Sequence, residues 1–325
     1  MLRILQSLFG GAKVGNYPES LVKEAIERAV DGTDPWLRGV SGYRKKLRPS
    51  VVKAIDHVVA LVDALPPATP VSLDSYSNEP LLKTCFMTRA EMQKVFGRDR
   101  DLAAYLKGAG SAVPQVVALL AMEKQESVTL GAELSGEIII RDVPQATVTF
   151  EFRRLLDPAA TEAETRRNLM RRAFDHLLSL ALRRISAVKT ERETLERHRS
   201  LLQSKLDLLQ RAGWGFDDKG PGERLDIPAL EGNLSQIEGH LLELGGDDRM
   251  LEVYLDIVSD VLGRPEEHLW SKREIIIVDR MGIRRTETAP DAPELTLDEF
   301  CNAEGRSLVM SLIALSGDEL RGIAV

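Results

Sequence analysis

TEAETRRNLMRRAFDHLLSLALRRISAVKTERETLERHRSLLQSKLDLLQRA, residues 161–212, contains neither proline nor glycine. Alternating steps of four and three residues pick out Phe174, Leu178, Ala181, Ile185, Val188, Arg192, Leu195, Arg199, Leu202, Leu206 and Leu209. That spacing is the heptad of a coiled coil, with Arg192 and Arg199 standing where apolar residues would pack better. It predicts one unbroken helix, on the order of 75 Å long at about 1.5 Å per residue. A stripe of that length exceeds what one compact domain covers, so part of it is left for a partner.

Downstream, GWGFDDKGPGERLD (213–226) reads as a turn, with Trp214 and Phe216 as large aromatics at its tip. Two helical stretches follow, 229–244 and 248–262, split by Gly245-Gly246. Leu230, Leu234, Ile237, Leu241 and Leu244 give the first a matching seam. The expected element is therefore an antiparallel coiled-coil hairpin over 159–265 whose return limb is broken once.

Upstream, short helices are expected from Tyr17 to Val30, from Pro49 to about Leu65, from the Thr88/Glu91 capping box to about Phe96, and from Val113 to Lys124. The period then changes. Segments 127–134, 137–142 and 146–153 are rich in Val, Ile, Thr and Phe and read as strands, with turns at 134–137 and 142–145. A second strand pair, 273–279 and 283–288, is joined by Arg280-Met281-Gly282, and a last helix is expected over about 297–315. A hairpin returns its two ends to one place, so 137–142 and 273–279 are expected in one antiparallel sheet. The predicted fold is α+β and predominantly helical. It comprises a helical N-terminal domain (1–125), a small antiparallel sheet with a C-terminal helix (126–158 with 270–325), and the hairpin inserted between the strand groups.

The chain of 325 residues is 43% hydrophobic and 29% charged, a globular balance. Its net charge of −7 is unevenly spread: 161–211 carry 12 Lys and Arg against 7 Asp and Glu, and 212–325 carry 11 against 24. Opposite excesses of this kind attract, within a chain or between chains. Two isolated cysteines, Cys85 and Cys301, fit a reducing compartment and a cytoplasmic protein, and no run is long enough to span a bilayer.

No catalytic or cofactor pattern emerges. There is no P-loop, no H-E-x-x-H and no C-x-x-C, and no cofactor or metal is expected. Three S-x-x-K matches on three ordinary helices (Ser20/Lys23, Ser50/Lys53, Ser186/Lys189) show how cheap that motif is. The five histidines lack metal spacing, although His198 and His240 meet if the hairpin forms. Basic clusters occur at 43–48 and at Arg166, Arg167, Arg171 and Arg172, and these are the candidate nucleic-acid contacts. The acidic whole argues against that use. Residues 2–9 form an apolar segment suited to docking on the body, on a partner or weakly on a membrane.

The expected function is a cytosolic coiled-coil scaffold, more binding protein than enzyme. It associates with itself or another protein through Arg192, Arg199, Trp214 and Phe216. The rivals are nucleic-acid association and an enzyme with a pocket near 71–80 and Cys85.

Overall fold

A computed structural model of the chain describes residues 17–72, 76, 79–110, 113–135, 138–211, 227–245, 249–317 and 319–320. The helices are α1 (Glu19–Asp31), α2 (Tyr43–Asp63), α3 (Pro80–Cys85), α4 (Arg89–Arg98), α5 (Arg100–Lys107), α6 (Glu162–Arg211), α7 (Ile227–Glu243) and α8 (Met250–Gly263). The strands are β1 (Thr69–Val71), β2 (Gln115–Ser135), β3 (Ile138–Ala159), β4 (Leu269–Ile277), β5 (Glu294–Asn302) and β6 (Ser307–Ser316). The fold is α+β. The chain divides into two compact units, Ile55–Phe174 with the chain from Pro265 onward, and Tyr17–Ala54 with Asp175–Arg264.

The first unit holds the sheet. Its order is β3-β2-β6-β5-β4, antiparallel throughout, with β1 added parallel to β6. The sheet curls. Beyond β4, Ile283 bridges to Thr147 of β3, the Val148 amide donates to the Gly282 carbonyl at 2.7 Å, and the Arg284 amide donates to Ala146 at 2.8 Å. Both outer strands thereby gain partners, which removes exposed ladder groups. Asp279 shapes this turn, accepting from the amides of Met281 and Ile283 at 2.9 Å each and from Arg285. Gly282, at φ +80°, takes the backbone form the turn requires. Segments 138–142 and 273–277 do lie in this one sheet, at opposite ends of the strand order.

Four expectations of local structure are corrected. Residues 113–124 are not a helix: Gln115 onward is β2, the strand between β3 and β6. Val116 to Met122 are all buried, so the apolar run is that of a strand covered on both faces. The three short strands are two long ones, and 142–145 runs through β3 beside a register shift at Gly131/Ala132 rather than turning back. Segment 283–288 forms only isolated bridges, and β4 pairs instead with β5. The C-terminal helix over 297–315 is strands β5 and β6, and the alternating burial of Leu295, Leu297 and Glu299 in β5 is the strand period. Separately, Pro49 does not open α2; the helix starts at Tyr43 and carries Pro49 inside it, where one backbone hydrogen bond is forgone.

Helices α3, α4 and α5 close one face of the sheet. Phe86, Met92, Phe96 and Leu102 pack with Val116, Ala118, Leu120 and Met122 in one buried cluster. Thr88 caps α4 by accepting from the Glu91 amide, and Asp99 caps α5 by accepting from the Leu102 amide. The opening turns of α6 anchor to the same unit, with Thr165 Oγ1 donating to the Val117 carbonyl at 2.9 Å.

In the second unit, Leu21, Val22, Ile26, Ala29 and Val30 of α1 are buried, as are Leu255, Val258, Val261 and Leu262 of α8. Arg28 pairs with Asp175, Arg184 with Asp260, and Lys189 with Asp34. The hydroxyls of Ser50 and Ser259 lie 2.8 Å apart.

Candidate functional site

The seam read from the sequence is the less exposed face of α6 along its described length. Leu178, Ala181 and Ile185 are buried in the second unit. Val188, Arg192, Leu195, Arg199, Leu202 and Leu206 are only half-buried. On α7, Leu241 is buried while Leu230, Leu234 and Ile237 are half-buried. His198, Leu201 and Leu202 of α6 line a groove of about 520 Å³ together with Asn233, Ile237 and His240 of α7. Leu201 in this lining and Leu208 farther along α6 are 67% and 68% exposed. Arg192 donates from Nη1 to the Gly245 carbonyl at 2.5 Å and from Nε to Glu196 Oε1 at 2.8 Å. One acid that meets it is thus a turn along its own helix. Trp214, Phe216 and residues 2–9 lie outside the described residues.

The arginines at the start of α6 are drawn into the structure. Arg166 binds Glu162 at 2.7 Å and donates to the carbonyls of Val62, Leu65 and Pro66 at 2.6, 3.0 and 2.9 Å, capping the end of α2. Arg172 forms a two-pronged pair with Asp157 at 2.7 and 3.0 Å. Arg171 reaches Asn168 at 3.4 Å, and Arg167 also has a partner. In 43–48, Arg44 and Tyr43 bind Glu27 and Arg48 binds Glu19. Burial disfavours the charge on Glu27, but hydrogen bonds from Tyr43, Arg44 and Arg38 outweigh it and hold the carboxyl below its usual range. Lys45 and Lys46 remain exposed.

One charged cluster was not foreseen. Lys124 of β2, its side chain 9% exposed, places Nζ 2.5 Å from Glu274 and 2.7 Å from Glu299, and 3.0 Å from Glu126. Glu299 is 1% exposed and also meets Lys272 at 2.8 Å. Arg284 closes the cluster on Glu274 at 3.0 Å. Burial opposes the charge of Lys124, but Glu274, Glu299 and Glu126 more than offset it and hold the ammonium above its ordinary value. A lysine so held is a fixed cation, not a nucleophile or a base.

Both cysteines are buried. Burial pushes the thiols of Cys85 and Cys301 up, away from the reactive thiolate. Within 71–80, much of which lies outside the described residues, Tyr76 donates its hydroxyl proton to the Phe86 carbonyl at 2.9 Å. Among the described residues, no group of three or more His, Cys, Asp or Glu is arranged to hold a metal ion, and no helix is long and apolar enough to cross a membrane.

No match comes from known proteins. The chain resembles no family model, no curated protein and no solved structure closely enough to carry an assignment.

Proposed function

We propose that this is an interaction protein whose α6 and α7 form an antiparallel coiled-coil hairpin, and that the hairpin joins a second copy of the chain. The observation that carries the reading is the seam itself. It is buried up to Ile185, half-buried from Val188 to Leu206, and flanked by exposed Leu201 and Leu208. Antiparallel pairing is supported by neighbours whose numbers run in opposite senses, Arg192 beside Gly245 and then His198 and Leu202 in one groove with His240 and Ile237. A second copy suits the groove because the chain carries both charges: 161–211 are basic and 212–325 acidic, so two hairpins attract in a staggered or antiparallel arrangement.

The nucleic-acid reading through 43–48 and 166–172 is weakened by the internal pairs of Arg44, Arg48, Arg166 and Arg172. An enzyme centred on Cys85 is weakened by the burial of its thiol.

Light scattering across protein concentration and salt tests the proposal. A dimer is expected at micromolar concentration, loosening as salt rises. Leu201→Glu with Leu208→Glu should weaken it by on the order of a hundredfold, the worth of two leucine side chains returned to water. A strict monomer at high micromolar concentration in low salt overturns self-association. A dimer unmoved by Arg192→Leu with Arg199→Leu would keep the association and discard charge as its guide.

A further inference from the structure

The first unit contains a second concave surface, distinct from the sheet's charged cluster. Helices α4 and α5 and the end of β3 enclose an open cleft of about 550 Å³, within the range of small-molecule sites. Its charges are unequal in kind. Arg153 is already committed, to Glu91 at 2.6 Å, to the Cys85 carbonyl at 2.6 Å, and over the Phe86 ring. Asp99 spends one oxygen on the Leu102 amide and the other on the Leu155 amide. Lys94, Arg98, Arg100 and Arg154 are different. All four line the cleft and are exposed, and none of their side chains makes a hydrogen bond or ion pair among the described residues. Elsewhere in this unit Arg166, Arg172, Arg273, Arg284 and Arg285 are each paired with a carboxylate. With the Arg153–Glu91 pair set aside, four cations (Lys94, Arg98, Arg100 and Arg154) face two carboxylates (Asp99 and Asp101), a local positive excess in a chain of net charge −7.

The backbone supplies an independent observation. Phe152 and Asp157 have φ of +49° and +51°, the left-handed region that side-chain-bearing residues seldom adopt. Each falls at a break in register with β2, between the partners of Ala121 and Glu123 and between those of Val117 and Leu119. These two bulges bracket residues 153–156, every one of which lines the cleft. Bulges and left-handed side-chain-bearing residues concentrate where a strand is re-aimed toward a site.

We propose that this cleft binds a small polyphosphorylated ligand. A terminal phosphate brings about −1.5 to −2 charges and a bridging phosphate about −1, each with acceptor oxygens that planar guanidinium donors match in pairs. A short phosphate chain neutralises the excess that Lys94, Arg98, Arg100 and Arg154 leave. Such a chain is either inorganic or borne by a nucleoside.

The experiment is titration calorimetry of the full chain at low salt with tripolyphosphate and, separately, with ATP. Saturable binding that weakens with salt is expected, and Arg98→Glu with Arg154→Glu should reduce the affinity at least tenfold. All these side chains are exposed, so thermal unfolding should be unchanged; Arg98→Gln alone, with an intermediate loss, guards against a double variant that folds poorly. Lys205→Glu, an exposed reversal on α6, should leave binding intact. Equal affinity for the two probes means the phosphate chain alone is read, and tighter ATP means the nucleoside is read as well. Absence of saturable binding, or an equal loss in Lys205→Glu, overturns the proposal. So does binding of single-stranded RNA through the same arginines without binding of tripolyphosphate.

Discussion

Lys124→Met is expected to destabilise the protein by about 3–5 kcal/mol, the cost of removing one partner from a buried ion pair. The methionine fills the stem's volume, so little of the loss is packing. What remains is Glu299, 1% exposed, with Lys272 as its cation, and Glu274 with Arg284. Lys124→Met with Glu299→Gln should recover a large part of the loss, because two apolar or neutral groups of similar shape replace a charged pair at small cost. Urea unfolding of the two variants measures both numbers. A loss below about 1 kcal/mol in the single variant would mean that the cluster behaves as an exposed pair screened by solvent.

The pH dependence has a definite sign. Glu274 is held below the ordinary carboxylate range, first by its hydrogen bond from Lys124. Its contribution is therefore present above that range and is lost as pH falls through its folded value. Lys124 is held above its ordinary value by the carboxylates, so its contribution is present below the lysine range and is lost only as pH rises through the folded value. Between the two ranges the wild type keeps both contributions. The deficit of Lys124→Met should be full at neutral pH and shrink as the solution is acidified below the carboxylate range. Unfolding midpoints at neutral and acid pH, compared for the two proteins, test the sign. A deficit that grows on acidification contradicts the assignment.

The parts of the fold legible in the sequence are those whose pattern is local. A run free of proline and glycine with heptad spacing admits one long helix, and α6 is that helix. The Thr88/Glu91 pair admits a capped start, and α4 has it. Segments failed where burial is two-sided. Ala118 to Met122 consists of strong helix formers, yet it lies in the middle of a sheet with neighbours on both edges, and tertiary pairing overrides propensity there. An apolar run covered on both faces has no period to read. In β5 the alternation was present, but Glu299 stood at an inward position and disguised it. Partners distant in sequence, Lys124 and Lys272, make a carboxylate tolerable there.

The candidate sites divide in the same way. The proposed seam positions are a matter of spacing along one helix, which a sequence records. The worth of a basic cluster depends on what folds beside it, which spacing does not record. The densest runs, 43–48 and 166–172, find acids and helix-end carbonyls in their own units, while the sparser Arg98, Arg100 and Arg154 find none among the described residues. The Arg-Asp-Arg-Asp junction of α4 and α5 and the Arg153-Arg154 pair are visible as residues; that they line one cleft, beside two register shifts in β3, is a tertiary fact that spacing does not record.

Leu202→Pro is expected to cost about 3 kcal/mol or more in the helix that carries the proposed interface, because proline removes an amide donor and its ring collides with the carbonyl four residues back, that of His198. The site of the lesion decides how the cost is felt. Leu202 belongs to the half-buried portion of the seam, far along α6 from the buried residues Leu178, Ala181 and Ile185. Unfolding of the second unit's core should therefore persist near its wild-type midpoint, while helical circular dichroism falls and α7 loses the side chains that share its groove. Amide exchange separates these effects: protection should fall over about 195–211 and 227–240 and hold at α1 and α8. If α6 and α7 form the dimerising hairpin, the same variant is monomeric by light scattering at concentrations where the wild type is dimeric. A variant that keeps full protection across this region shows that the seam is not held by pairing with α7. One that loses helix but remains dimeric places the interface elsewhere.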